Sequence, residues 1–318
     1  MDRTEKKNLP VVGLPRGLLY HRYGTLWQTF FRALGYEVKI SAPTNRAVME
    51  EGAHLAPDET CLSAKIFLGH VSSLVGNCDY IFVPRVANLG RNLEMCVRFS
   101  ALYDMTRCVF KQTDQKFLTC NVDVVNGSTE EDAYIGLGQS LGFSRKEAKK
   151  AYKAAAKAQE QAWDLAVKEQ EKLYKTDGLK ILVAGHSYIL DDPYAGGMIL
   201  KGLRDLNTVP LRADITDRDA AVKKSPDLCP TCRWVMSREL VGSIIQHRYK
   251  VDGIVLVTAF PCGPDSMVND ILARSIKGVP VLQLVLDTQT GTAGVETRLE
   301  SFVDIIRMKK GGMQDAVV

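Results

Sequence analysis

The sequence contains no apolar run close to the roughly 20 residues that cross a membrane as a helix. Its first seven residues are mostly charged or polar, and no signal-peptide core follows them. We therefore expect a cytoplasmic protein without a membrane partner. The G-x-x-x-x-G-K-[ST] phosphate loop is also missing, which argues against ATP hydrolysis by that route.

A large excess of charge of one sign is missing too. The formal net charge is only +4 over 318 residues, whereas nucleic-acid binders usually gather Lys and Arg into a stripe. No nucleic-acid partner is expected. Small anionic molecules or an acidic protein surface fit this modest excess equally well.

Eight cysteines are present, but no pair of C-x-x-C motifs that would make a zinc knuckle. Cytoplasmic thiols stay reduced, so ligands or buried residues are favoured over disulfides. The one C-x-x-C is Cys229-Pro-Thr-Cys232, whose place in a surface loop is the favoured interpretation. A redox dithiol or additional metal ligands are the alternatives.

Short apolar strands alternate with amphipathic helices along most of the chain, which predicts an α/β fold with parallel sheets. We predict two Rossmann-like, doubly wound domains, at residues 1–126 and 178–318. Residues 127–177 between them are predicted to be a helical linker. Possible capping boxes begin at Ser128 and Ser144, and a thin apolar seam includes Ala155, Ala162, Ala166 and Leu173.

Three cysteines are predicted to lie where a strand or loop leads into a helix. Cys61 follows Thr60, Cys96 follows a Gly/Asn-containing loop, and Cys262 lies between a buried strand and a helix that Pro264 opens. Ligands of open α/β sheets bind at such carboxyl ends. Thiolates are the ligands that iron–sulfur clusters and zinc prefer. From their spacing alone, ordinary packing is the favoured explanation.

Several segments together resemble one known family. They are Pro15-Arg-Gly-Leu-Leu19, Glu59-Thr-Cys61, Tyr80-Ile-Phe-Val-Pro-Arg85, Phe260-Pro-Cys-Gly-Pro-Asp-Ser266 and Gly291-Thr-Ala-Gly-Val-Glu-Thr-Arg-Leu299. The chain resembles proteins related to 2-hydroxyacyl-CoA dehydratases and benzoyl-CoA reductases, often described as activase-related proteins for CoA substrates. Double-cubane cluster proteins are further relatives.

The resemblance implies a [4Fe–4S] cluster in the interdomain cleft, or a double-cubane cluster, with Cys61, Cys96 and Cys262 as ligands. It also implies electrons from a separate ATP-hydrolysing activase and anaerobic chemistry on a small or CoA-linked substrate. A homologous larger subunit or a second copy of the chain would be the other partner. Gly263 and Ser266 are the residues predicted to contact the cofactor.

The other signals are weaker. His186 ends a strand and is a candidate catalytic residue; His70 is predicted to be structural. The remaining cysteines, Cys78, Cys108 and Cys120, are predicted to be core residues. Two further pairs are candidates for anion binding, namely Arg16 with Arg85 and Gly291 with Gly294. The alternative is a local salt bridge for each arginine and an ordinary turn for the two glycines. An accessory cluster carrier and a metal-free α/β binding protein remain alternative functions.

Overall fold

The computed structural model describes residues 9–289 and 292–315. Two four-stranded sheets organise the chain, and every registered strand pair in them is parallel. Helices connect successive strands, as parallel pairing requires. The predicted α/β class with parallel sheets is therefore confirmed, while the exact domain boundaries stay predictions.

The first sheet has the strand order β2-β1-β3-β5. A separate ribbon pairs β4 with β6. The elements of this region are β1 (Val11–Leu14), α1 (Tyr20–Ala33), β2 (Glu37–Ile40), α2 (Arg46–Leu55), α3 (Leu62–Leu74), β3 (Tyr80–Phe82), β4 (Arg85–Asn88), α4 (Val97–Ser100), α5 (Leu102–Val109), β5 (Lys116–Leu118) and β6 (Asn121–Asp123).

Two helices follow, α6 (Glu130–Ser140) and α7 (Arg145–Tyr174). The predicted capping box at Ser144 is present, with Glu147 as its partner. The predicted cap at Ser128 is wrong, because the Thr129 side chain accepts the hydrogen bond at that helix start. Helix α7 packs against α1 and α6, so its first half belongs to the core around the first sheet.

The buried face of α7 differs from the predicted seam. Ala155 is fully buried, together with Ala148 and Ala151 one and two turns earlier. Ala162 and Leu173 are exposed. Small residues on the first half allow α7 to approach α1 closely, whereas the second half keeps its apolar residues at the surface.

The second sheet has the strand order β10-β9-β7-β8. All seven residues of β9 are buried, as its continuous apolar run predicts. The elements of this region are β7 (Leu179–Ala184), α8 (Ser187–Leu190), α9 (Gly197–Asp205), β8 (Thr208–Arg212), α10 (Arg218–Lys224), α11 (Val235–His247), β9 (Gly253–Ala259), α12 (Gly263–Ser275), β10 (Val281–Leu286) and α13 (Thr292–Asp315).

The Asp192-Pro193 pair predicts a helix that starts at Asp192 and runs through Leu206, and this predicted start is wrong. Asp192 does not cap a helix, because α9 begins only at Gly197. Its carboxylate instead accepts hydrogen bonds from the backbone N–H groups of Tyr194 and Ala195, at 2.9 Å each. The side chain thus stabilises a turn before the helix, a use of Asp that competes with capping.

The two halves exchange apolar side chains. Met49, Leu62 and Ile66 pack into the core of the second sheet. Val235 and Met236, at the start of α11, pack into the core of the first. This exchange holds the starts of α3 and α11 at the boundary between the halves.

Candidate three-cysteine site

Cys61, Cys96 and Cys262 each occupy the position immediately before a helix, namely α3, α4 and α12. All three have extended backbone there and free, partly buried thiols. Each thiol therefore lies at a junction where a strand or loop leads into a helix. At Cys262, Pro264 marks the first turn of that helix.

Backbone contacts bring the three junctions together. The N–H of Leu62 donates to the carbonyl of Phe260 at 2.9 Å, which joins the Cys61 junction to the Cys262 loop. Cys96 and Cys262 line one small cavity. The predicted convergence of three distant segments is therefore present in the fold, while metal ligation by them stays a prediction.

A backbone clamp fixes the third junction. Glu94 donates its N–H to the carbonyl of Arg233 and accepts from the N–H of Val235, both at 2.9 Å. Residues 94 and 234 form an isolated parallel bridge. Because Cys96 lies two residues beyond this clamp, the second half of the chain determines where its thiol lies.

The charges of neighbouring thiols affect the pKa of Cys96 and of Cys262 at this site. Burial raises the pKa of Cys96 to about 11, and the charge of Cys61 adds to the effect. Burial also raises the pKa of Cys262, with further increases from Asp265, Cys61 and Cys96. For Cys61 the pKa is again raised by burial, and Arg98 opposes the shift. Thiolates at this site would therefore need a strongly positive partner.

A buried ion pair lies beside the thiols. His186 Nε2 and Asp265 Oδ1 are 2.8 Å apart, and the two residues are only 4% and 5% exposed. Burial alone lowers the pKa of His186, but attraction to Asp265 outweighs it and raises the pKa. The Tyr188 ring stacks at an angle 5.0 Å from the His186 ring. Both His186 and Tyr188 line the same cavity as Cys96 and Cys262.

Asp265 was not anticipated as a site residue from the sequence. It accepts a long hydrogen bond of 3.4 Å from Ser237, while its Oδ2 is buried without a hydrogen-bond partner among the described residues. An acidic residue in the first helical turn after Cys262-Gly-Pro was the available signal. Its pairing with His186, 79 residues away in sequence, required the fold.

The two residues predicted to contact a cofactor lie in the first turn of α12. A Cβ added to Gly263 would meet no atom within 4 Å, so the protein's own packing does not require glycine there. Ser266 donates its N–H to the Cys262 carbonyl at 3.0 Å as the first hydrogen bond of the helix. Open space beside Gly263 is what a bound group would need.

The Cys229–Cys232 pair is placed differently from its prediction. Both cysteines are buried in the apolar core of the second half, so the predicted surface loop is wrong. Burial, followed by the neighbouring Cys229, raises the pKa of Cys232 to about 11. Neither cysteine is among the described residues that line the cavity of Cys96 and Cys262.

The remaining cysteines divide. Cys120 is buried and Cys78 packs against the first core, as predicted. Cys108 is exposed, so its predicted core position is wrong; it lies on the outer face of α5.

The other weak candidates have local partners. His70 is fully buried between the hydroxyls of Ser41 and Thr44, which confirms its structural role. Arg85 pairs with Asp104. The remaining candidates are Arg16, whose Nε donates to the Ser41 carbonyl at 3.1 Å, Gly294, which lies in α13, and Gly291, which lies outside the described residues.

The three thiols are of the donor type that iron–sulfur clusters and zinc use. Within the part of the chain that the structure describes, no group of three or more His, Cys, Asp or Glu side chains is placed to hold one ion. The thiolates of an iron–sulfur cluster bind different iron atoms and so stand farther apart than the ligands of one ion. Three soft sulfur donors fit iron–sulfur chemistry.

No helix in the described residues is both long enough and apolar enough to span a membrane. The fold and site together define a mixed α/β protein with parallel sheets and a thiol-lined cavity between its halves. The model of the family described as "CoA enzyme activase uncharacterised domain" matches residues 11–215, and the chain belongs to that family.

None of the curated proteins matches the chain significantly. Among solved structures, the SBP FpvC from Pseudomonas aeruginosa in complex with Mn2+ is 13% identical, with 95% of this chain and 98% of that chain covered and a TM-score of 0.28. The Streptococcus pneumoniae AdcAII protein is 14% identical, with 95% and 98% coverage and a TM-score of 0.27. Such low scores carry no argument about fold or activity.

Proposed function

We propose that this protein is an iron–sulfur redox protein that binds a [4Fe–4S] cluster through Cys61, Cys96 and Cys262. It would take low-potential electrons from an ATP-hydrolysing activase and deliver them to a small or CoA-linked substrate. The observation that supports the proposal is that Cys96 and Cys262 line one cavity between the halves, while the Cys61 junction is hydrogen-bonded to the Cys262 loop and its charge acts on both other thiols.

Each half supplies part of the ligand set. Two thiols come from the first half and one from the second, so the backbone contact between Leu62 and Phe260 and the clamp at Glu94 would hold the set in place. The cluster itself would supply one-electron chemistry and, with three thiolates, an iron open to another ligand. We also propose that both sheets are doubly wound in the Rossmann manner.

The residues beside the thiols favour catalysis over simple electron carriage. His186, Tyr188 and Asp265 present polar groups to the cavity. The Asp265 carboxylate raises the pKa of His186 and fixes its ring through the 2.8 Å hydrogen bond. In its protonated form, an imidazole held there would donate a proton to a substrate or orient its carbonyl. An accessory carrier would have no need of such groups.

The partner follows from what the sequence lacks. Without a phosphate loop, ATP-driven reduction requires a separate nucleotide-binding protein. The family's description as a CoA enzyme activase domain agrees with a link to CoA enzymes. A larger homologous subunit or a second copy of the chain would complete the system, and we propose a cytoplasmic location for it.

Anaerobic purification with iron and sulfide counting tests the proposal. Alanine variants of Cys61, Cys96 and Cys262 should each lose most of the iron. Two matched controls, Cys120→Ala and the double variant Cys229→Ala/Cys232→Ala, should keep it. An iron count near four fits a [4Fe–4S] cluster, and a count near eight fits a double-cubane cluster. Folded wild-type protein that takes up no iron or sulfide would contradict the proposal.

A further inference from the structure

A second cavity lies on the other side of α8 from the thiols. His186 and Tyr188 line the cavity of Cys96 and Cys262, whereas Ser187 and Asp191 line the second one. Its volume is about 400 Å³, within the usual range of small-molecule sites. Its walls come from α1, α7 and the segment that leads from β8 into α10, so both halves of the chain contribute. The proposed function does not use this cavity.

Two arginines in its wall share a single carboxylate. Arg22 binds Glu239 through two hydrogen bonds, at 2.6 and 2.8 Å, and both side chains are almost completely buried. Arg218 approaches the same carboxylate only to 4.0 Å through its Nε. Arg22 thus donates to both oxygens of Glu239, whereas Arg218 at 4.0 Å is too far away to donate a hydrogen bond through its Nε.

The guanidinium of Arg218 has a fixed orientation, although its hydrogen-bonding capacity is not fully used. Its guanidinium stacks on the Trp163 ring, with the Cζ atom 3.4 Å from the ring centroid. The Nε is buried and unpartnered, as are Arg22 Nε and His21 Nε2 in the same wall. Burial, followed by repulsion from Arg22, lowers the pKa of Arg218 to about 10. The stack therefore orients a cation whose ion-pair partner, Glu239, lies 4.0 Å away and is hydrogen-bonded to Arg22.

The other charges of the cavity are already used. Arg212 binds the carboxylates of both Asp191 and Asp214. Those two acids are therefore committed to one guanidinium, which leaves Arg218 as the cation with free bonding capacity toward the cavity. Uncharged polar groups of Tyr20, Thr25 and Gln28 line the rest of the wall.

We propose that this cavity binds a small molecule through an oxyanion, a phosphate or a carboxylate, which pairs with the guanidinium of Arg218. A guanidinium presents a planar fork of donors that matches both anions. The Trp163 stack fixes the orientation of the fork before the ligand arrives, which lowers the entropy lost on binding. Tyr20 and Gln28 would contact the uncharged part of the ligand.

The experiment measures binding to the full chain by calorimetry and by tryptophan fluorescence at constant ionic strength. Inorganic phosphate and succinate form separate arms, and chloride is the control for general salt effects. Saturable binding in either arm is expected, and the responding arm identifies the anion. Because Trp163 carries the stack, Trp163→Phe should lose the fluorescence change while binding persists in calorimetry.

The matched variants are Arg218→Gln, Arg218→Lys and Arg46→Gln, the last on an exposed helix face. Arg218→Gln should weaken binding about tenfold or more, since a charge-assisted hydrogen bond is lost. Arg218→Lys keeps the charge but not the fork, so it should fall between wild type and Gln. Equal affinity in wild type and Arg218→Gln, or no saturable binding in either arm, would overturn the proposal. Neither outcome bears on iron binding.

Discussion

The two cavities on either side of α8 are incomplete in opposite senses. The first holds the thiols of Cys96 and Cys262 beside the His186–Asp265 pair, and burial, followed by the Asp265 charge, raises the pKa of Cys262. The second holds two arginines against one shared carboxylate. Thiolates in the first cavity would call for a positively charged partner, whereas the second cavity calls for a negatively charged one. The charge that a buried site leaves unbalanced thus indicates the sign of its partner even when the partner's identity is unknown.

The strongest test is a double dissociation between the cavities. Anaerobic reconstitution with iron and sulfide should raise the melting temperature of the wild type and of Arg218→Gln, but not of Cys262→Ala. Phosphate or succinate should do the reverse, stabilising Cys262→Ala but not Arg218→Gln. The checking measurement is thermal unfolding with each ligand. If one variant abolishes both responses, the two cavities form one site and the comparison fails.

The next largest effect concerns the shared carboxylate. Glu239→Gln leaves Arg22 buried without its charged partner and removes the ion pair of the partly buried Arg218, so the free energy of unfolding should fall by about 3–5 kcal/mol. Denaturant unfolding measures it. Glu50→Gln removes an exposed partner of Arg46 and should change stability very little. Equal losses in the two variants would show that burial of the Arg22–Glu239 pair is not what matters.

The surroundings of two buried histidines shift their pKa values in opposite directions. His186 faces the Asp265 carboxylate, and its pKa is raised. His70 faces two hydroxyls, and its pKa is lowered to about 3 by burial and by the positive charges of His21 and Arg16. The Ser41 Oγ and Thr44 Oγ1 atoms lie 2.9 and 2.8 Å from its two ring nitrogens.

A pH profile should expose this difference. Because the folded pKa of His70 lies below its unfolded value, the unfolded chain binds the extra proton. The stability due to neutral His70 is thus complete above about pH 6.5 and is lost as the pH falls toward 3, by at most about 1.4 kcal/mol per pH unit. His70→Asn should flatten this acid limb, measured by urea unfolding from pH 7 to 5. His54→Gln, at an exposed position, serves as the control; an equal flattening there would contradict the assignment.

Much of the fold follows from local pattern. Apolar runs identified β7, β9 and β10, and the Ser144–Glu147 capping box marked the start of α7. Two predicted helix starts failed because polar residues have competing local uses. Asp192 stabilises a turn instead of a helix, and Thr129 replaces Ser128 as a cap. Strand β8 and helix α10 were missed because Pro210 and a short, charged segment weaken their patterns.

The candidate site divides in the same way. The three cysteines were predictable because each lies at a junction that the sequence marks, and the resemblance to a known family brought them together. Asp265 and the Arg218 cavity were not predictable, because Asp265 binds a histidine 79 residues away and the cavity depends on an Arg22–Glu239 pair that is 217 residues apart in sequence. The C-x-x-C motif misled for the opposite reason: its local spacing is conspicuous, but tertiary packing buries it in an apolar core.

The smallest expected effect is also the most direct test of the charge difference between the two cavities. Arg218→Gln removes a partly buried cation that is repelled by Arg22 and lies 4.0 Å from the Glu239 carboxylate. The loss of its stack on Trp163 opposes the relief of this repulsion, so the free energy of unfolding should change by less than about 1 kcal/mol. Urea unfolding without added anion measures it. A loss as large as that of Glu239→Gln would mean that Arg218 is already paired in the folded protein, and the surplus of positive charge would disappear.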